Sequence, residues 1–224
     1  MTKEAFEQES SCVPSAGRPR TSAIQRDNVA AFVSQFIQRV MEKNAGHHRL
    51  LITLDGPCAS GKTTLARKLA QAFRAEVLHT DDFVIPHALK TPERLAVPGG
   101  NCDAERLAEE VVIPFKRGLP VRYRRYDCRK DILLPEEQLP DSRILILEGS
   151  YCNLPAIREY ADLRLFLDVP WEIRKARLLE RESAASLRRF YDRWIPLENA
   201  YFEAYHLPHA DDIIISVTAD KSTD

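Results

Sequence analysis

Long apolar runs are missing from this sequence. None approaches the roughly 20 residues that a membrane-spanning helix needs, and residues 1–11 are acidic and polar, without the apolar core of a secretory signal. No membrane partner is expected, and a cytoplasmic location is the default reading. Net charge is missing too. With 32 Lys and Arg against 33 Asp and Glu the chain carries −1, so no whole-molecule field favours nucleic acid or an anionic surface. Paired cysteines are also absent. The five are Cys12, Cys58, Cys102, Cys128 and Cys152, an odd number with no C-x-x-C spacing, which argues against a disulfide framework and against a zinc site. No internal repeat is visible. At 224 residues the chain can bury a real core, and one α/β domain with insertions is the simplest organisation.

What the chain does carry is Gly56-Pro57-Cys58-Ala59-Ser60-Gly61-Lys62-Thr63-Thr64, which fits the phosphate-binding pattern G-x-x-x-x-G-K-[ST]. Leu50-Leu51-Ile52-Thr53-Leu54 ahead of it reads as a buried strand, and residues 65–73 behind it read as a helix. Glycines let backbone N–H groups turn inward onto phosphate oxygens, and the helix N-terminus adds positive potential. Lys62 is placed to neutralise the outer phosphates and Thr63 to offer its hydroxyl to Mg²⁺. The plain alternative is a chance glycine turn between a strand and a helix. Cys58 lies inside the loop, so its oxidation is expected to hinder nucleotide binding.

Residues 1–22 lack apolar periodicity and read as a disordered tail. Val29, Phe32, Val33, Phe36, Ile37 and Val40 then recur at helical spacing, with Asp27 as a candidate cap and Ala45-Gly46 as a stop. Their stripe reads as core packing rather than a membrane anchor, because Lys and Arg are not gathered opposite it. A short strand at residues 76–79 ends in Thr80-Asp81-Asp82-Phe83. Residues 86–100 look like loop, 103–116 like helix, and 121–126 with 131–134 like a hairpin. Residues 143–147 and 163–168 are nearly continuous apolar strands, 171–205 is a charged helical region, and 213–217 is a last strand.

Five strands alternating with helices imply a parallel sheet covered on both faces. Ligands of such sheets bind beyond the carboxyl ends of the strands. Asp55-Gly56, Asp81-Asp82 and Glu148-Gly149 stand at three of those ends and should face one crevice. The chain has no N-K-x-D guanine-reading element and no L-S-G-G-Q-like signature, and residues 144–147 end in Glu-Gly rather than Asp-Glu. These absences favour phosphoryl transfer to a small molecule over GTPase, motor or transport ATPase chemistry.

The ordered set Asp55-Gly56 to Thr64, Thr80-Asp81-Asp82-Phe83, Pro98-Gly99-Gly100-Asn101-Cys102-Asp103, Tyr126-Asp127, Glu148-Gly149-Ser150-Tyr151 and Asp211-Asp212-Ile213-Ile214-Ile215 resembles the uridine kinase-like P-loop kinases, a group that also includes phosphoribulokinase and nicotinamide riboside kinase. The resemblance runs across residues 50–217. It implies a P-loop NTPase fold with a five-stranded parallel sheet, helices on both faces, a small hairpin insertion and a helical lid. The tail (1–22) and the N-terminal amphipathic helix (23–46) lie outside the resemblance, and the kinase domain is expected over 47–224. The implied reaction is ATP-dependent phosphorylation of a hydroxyl on a small molecule, most naturally a nucleoside, with ATP and Mg²⁺ as cofactors.

The resemblance also implies roles. Asp81 is the acceptor's general base and lies near the metal; helix capping or a loop salt bridge is the alternative. Asp82 should point elsewhere if the backbone is still extended there, toward the substrate, and which of the two is the base stays open. Glu148 joins Thr63 at Mg²⁺, or else pairs with a nearby base. Arg177 and Arg181 reach from the lid to the phosphates, unless the acids around them make an ordinary salt-bridged helix. Asp103, Tyr126, Arg129 and Tyr151 line the acceptor side, or simply pack. Val84, Arg129 and the short segment Ser183-Ala184-Ala185-Ser186 depart from the uridine kinase pattern and put pyrimidine recognition in question. Two further readings stay open: a kinase of an acidic or sugar substrate, to which the fork of Arg129 is suited, and a nucleotide-binding regulatory protein without turnover. The sequence does not decide whether the chain forms a homo-oligomer.

Overall fold

A parallel sheet organises the chain. The computed structural model describes residues 28–43 and 49–217, so the expected tail, the Asp27 cap and the Ala45-Gly46 stop lie outside the described residues. The strands are β1 (Leu50–Asp55), β2 (Glu76–His79), β3 (Arg122–Tyr123), β4 (Tyr126–Asp127), β5 (Ile132–Leu133), β6 (Glu137–Gln138), β7 (Ile144–Glu148), β8 (Leu163–Asp168) and β9 (Ile213–Ser216). Five of them form the main sheet in the order β2-β7-β1-β8-β9, every pair parallel. β1 and β7 are buried at every position, as the near-continuous apolar runs require.

Alternation along the strands sends side chains to two cores. Leu50, Ile52 and Leu54 join Ile144 and Ile146 in one cluster, with Val29, Val33 and Ile37 of α1 (Val29–Lys43) and Leu65 and Leu69 of α2 (Lys62–Phe73). Leu51, Leu145 and Leu147 face the other way, toward Leu107, Val111, Phe115 and Tyr201. The stripe of α1 is thus core packing against the sheet. The same parity has a chemical consequence. Glu148 shares its face with Ile144 and Ile146 and so looks toward α2, whereas Asp55 shares its face with Leu51 and looks toward Tyr201.

The remaining helices are α3 (Pro92–Ala96), α4 (Ala104–Leu107), α5 (Ile113–Lys116), α6 (Pro155–Arg158), α7 (Trp171–Arg181), α8 (Ala184–Arg189) and α9 (Ile195–Ala204). α4 runs into α5 through a π-turn at Ala108–Val112, and α8 into α9 through another at Phe190–Trp194. Each π-turn is followed two residues later by a proline, Pro114 or Pro196. A widened turn accommodates a ring that brings no N–H and crowds the preceding turn. The expected hairpin is two successive antiparallel pairs, β3 with β6 and β4 with β5, and it extends beyond residue 134 to Gln138.

Two expectations need correction. Residues 86–100 are not all loop: Thr91 caps α3 by accepting from the Arg94 N–H at 3.2 Å, with Pro92 opening the helix. Residues 80–83 are not extended but a 3₁₀ turn, so Asp81 and Asp82 diverge by helical rotation rather than by strand alternation.

Candidate active site

The phosphate loop leaves β1 through a glycine at a position that strains any side chain. Gly56 has φ +140°, and a Cβ there would lie 2.5 Å from the Leu167 carbonyl oxygen on the neighbouring strand. The loop ends at Gly61 (φ 102°), which begins α2 without a side-chain cap. Lys62 folds back over the loop and donates to the carbonyls of Gly56 at 2.7 Å and Pro57 at 3.0 Å. Ser60 Oγ is buried with no partner among the described residues. A helix N-terminus without a side-chain cap, a lysine held over the loop and an unpaired buried hydroxyl suit a polyphosphate.

β7 ends beside this loop. The Thr63 hydroxyl donates to Glu148 Oε1 at 2.8 Å. His79 stands opposite Glu148 in the β2–β7 register, and its Nδ1 lies 2.5 Å from the same oxygen. Burial works against the Glu148 carboxylate, but bonds from His79 and Thr63 and the charge of Lys62 hold its pKa below the usual range. The bond to Glu148 raises the His79 pKa. A hydroxyl beside an ionised carboxylate is a donor set that fits Mg²⁺, which takes a few protein oxygens and completes its shell with phosphates and water.

Asp81 follows β2 by two residues. The residue is exposed, but desolvation by the protein around its carboxyl raises its pKa; Lys62 opposes this, while Glu148 and Glu198 add to it. Asp82 is also raised, by burial, with His79 and Arg125 opposing. Gly149 (φ +132°) lets the β7 turn pass against Thr80, where a Cβ would meet the Thr80 hydroxyl oxygen at 2.1 Å.

The helical segment after β8 contributes residues the motifs did not single out. Glu198 of α9 is buried; Oε2 accepts the Cys58 N–H at 2.9 Å and Oε1 accepts the Ser150 hydroxyl at 2.5 Å. One turn on, the Tyr201 hydroxyl donates to Asp55 Oδ2 at 2.7 Å. Burial raises the Asp55 pKa to about 6 against the opposing bonds from Tyr201 and the Gly56 N–H. Arg177 Nη1 donates to the Ala59 carbonyl at 2.9 Å and the Ser60 carbonyl at 2.8 Å, so it grips the loop's backbone. Arg181 does not follow it. α7 ends at Arg181, the chain turns extended at Glu182, and the Arg181 guanidinium bonds Glu182 at 2.7 Å on the surface. Burial, with the charge of Glu198, pushes the Cys58 thiol up to about 12, which disfavours the thiolate through which oxidation proceeds.

Around the residues expected to line the acceptor, Val84 pairs with Cys102, and the Asp103 N–H donates to the Phe83 carbonyl at 2.7 Å, closing the excursion between them. Asp103 caps α4 through the Arg106 N–H at 3.3 Å and bonds the Arg106 guanidinium at 3.2 Å, so its oxygens are engaged within the fold. The Tyr126 hydroxyl bonds Asp131, and Lys90 Nζ lies 5.9 Å from the centre of its ring. Arg129 is exposed at the hairpin turn, its N–H held by Asp127 at 2.9 Å. Tyr151 is buried against Tyr201, ring centres 4.9 Å apart. A separate shallow cleft of about 260 Å³, lined by Arg49, Val121, Leu139 and Asp141, lies at the amino ends of the strands, away from these groups.

Residues 99–219 match the Phosphoribulokinase / Uridine kinase family, more than half of the chain. The protein belongs to this family. A cytidylate kinase of Halobacterium salinarum is 29% identical over 168 residues, covering 74% of this chain and 77% of that one. A cytidylate kinase of Haloarcula marismortui is 31% identical over 134 residues, 60% of this chain and 59% of the relative. Among solved structures, a possible uridine kinase from Bacillus stearothermophilus superposes with a TM-score of 0.65 at 24% identity, over 85% of this chain and 98% of that one, a likeness of fold. The chain is a uridine kinase-like P-loop kinase with the α/β architecture that its sequence implied.

Proposed function

We propose that this kinase transfers the γ-phosphoryl group of ATP to a hydroxyl of a nucleoside or nucleoside-like small molecule. The observation that carries the reading is the convergence of Asp81 and Glu148 on the loop that holds Lys62 and Thr63. Phosphoryl transfer asks a protein mainly for positioning and charge stabilisation. Residues 56–64 hold the triphosphate, and Lys62 leaves its loop carbonyls to meet the outer phosphates. Thr63 and Glu148 would hold Mg²⁺, which when bound would supply positive charge against the phosphates. Asp81 takes the acceptor's proton; its raised pKa suits a base that must be ionised yet basic. Arg177 steadies the loop backbone from the lid side.

A second reading, an anionic acceptor, is favoured by the relatives' name, cytidylate kinase, because a cytidylate already carries a phosphate. Lys90, its Nζ 5.9 Å from the centre of the Tyr126 ring, adds a cation beside an expected acceptor residue, which suits a phosphate or carboxylate. ADP release from MgATP, measured against nucleosides, nucleoside monophosphates, sugars and carboxylic acids, decides between them. Turnover with nucleosides supports the first reading and turnover only with anionic acceptors the second. MgATP binding with no turnover across the panel overturns the kinase reading.

A further inference from the structure

The phosphate loop is held from outside by two side chains of opposite charge, both from the helical segment 171–204. Arg177 of α7 donates to two of the loop's carbonyls, at 2.9 and 2.8 Å. Glu198 of α9 accepts the loop's Cys58 N–H at 2.9 Å. Each residue thus meets the backbone polarity that suits its charge. Between these grips the chain passes through Ala59 in the left-handed region, at φ 58°. A non-glycine residue stays there only when its surroundings fix it. Glu198 is itself fixed: it is buried, and its second oxygen takes the Ser150 hydroxyl at 2.5 Å, just past Glu148. That hydroxyl also lies 3.4 Å from the Gly56 carbonyl oxygen. The carboxylate therefore ties the first limb of the phosphate loop, the turn after β7 and α9 to one point.

We propose that Glu198 is a positioning residue of the donor site, holding the Cys58 peptide so that the loop keeps the shape that receives the nucleotide's phosphates. A buried N–H whose acceptor is removed must find another partner, and the loop's turn at Cys58-Ala59 is the part free to swing. Loss of the carboxylate oxygen lets that peptide rotate and scatters the N–H groups downstream of it. Glutamine retains an oxygen of the same reach and keeps the peptide in place. Because α9 follows the π-turn at Phe190–Trp194, displacement of α9 releases the loop, so the helical segment and nucleotide affinity are coupled through this residue.

The inference rests on the donor-site reading above, and MgATP binding tests it without any acceptor. Calorimetric titration of the full chain should show Glu198→Ala binding MgATP about tenfold more weakly than wild type, with Glu198→Gln within about threefold. Hydrogen exchange should quicken at residues 56–61 in the alanine variant and stay unchanged in β7 and β8. A merely structural role would lower the melting temperature and leave the affinity of the folded fraction as it was. Unchanged affinity in Glu198→Ala overturns the proposal, as does a loss that glutamine does not restore. If the alanine variant does not fold, Ser150→Ala, which removes the carboxylate's second bond, carries the test: several-fold weaker binding supports the proposal and wild-type affinity overturns it. Intact MgATP binding without turnover on any acceptor would sink the kinase reading alone.

Discussion

The Thr63 hydroxyl donates to Glu148 Oε1 at 2.8 Å, joining positions 85 residues apart in the chain. The contact follows from strand parity. Glu148 continues the face of Ile144 and Ile146, the face that α2 covers, and Thr63 lies in the first turn of α2. Placing β7 directly beside β1 then sets the carboxylate next to the phosphate loop. His79 arrives at the same oxygen because it is the register partner of Glu148 on β2.

Glu148→Gln should therefore raise the Mg²⁺ concentration needed for half-maximal turnover by roughly tenfold or more, since an amide oxygen is a much weaker ligand for a hard cation than a carboxylate. The check is a Mg²⁺ titration of activity at fixed ATP. An unchanged Mg²⁺ requirement would make Glu148 a partner of His79 and Thr63 alone.

Asp81→Asn should lower kcat by roughly 10²-fold or more, the usual scale of a lost general base, while the MgATP dissociation constant moves only a few-fold. Equal losses in both would mark a structural role. The pH dependence follows the raised pKa of Asp81. The base works ionised, so activity climbs as pH rises through its pKa, and the acid limb of kcat/KM should lie above the ordinary aspartate value of about 3.8. The limb should vanish in the variant.

Asp55 predicts a stability effect. Its pKa is raised from 3.8 to about 6 by complete burial. Between those values the native state keeps a proton that the unfolded chain has released. Its contribution to stability is thus full below about pH 3.8 and falls as pH rises toward 6, by about 3 kcal/mol in all. Asp55→Asn removes this fall. The difference in melting temperature, variant minus wild type, should grow from pH 4 to pH 7; a constant difference would contradict the assignment.

Gly56→Ala should destabilise the fold by about 1–3 kcal/mol or more, because its φ of +140° is reserved for glycine and the new methyl would press on the Leu167 carbonyl of β8. Chemical denaturation measures it. Gly118 has φ +73° but open space where a Cβ would go, so Gly118→Ala should cost less and serves as the control.

The local signals were legible where periodicity or a glycine pattern specified them. The five sheet strands, the loop from Gly56 to Thr64 and the helix ahead of Lys116 all read directly, because apolar runs and alternation must match the layer they are buried in. Thr91-Pro92 carried a helix start that a count of nearby prolines and glycines obscured. Asp103 looked like an acceptor ligand and is a cap bonded to Arg106, a use that its sequence neighbours equally allow.

Sequence by itself determined the phosphate loop, the acids at the strand ends and the parallel order of the layers, since these follow from short-range patterns that only one local geometry satisfies. Tertiary structure alone decided which side chains meet there. Glu198 reaches Cys58 across 140 residues and Tyr201 reaches Asp55 across 146, and no periodicity within a helix specifies which buried polar group on a neighbouring strand or loop it will face. The physical reason is burial. Once β1 is covered on both faces, every polar group at its end needs a partner, and the helix that packs over that end is the one in position to supply it.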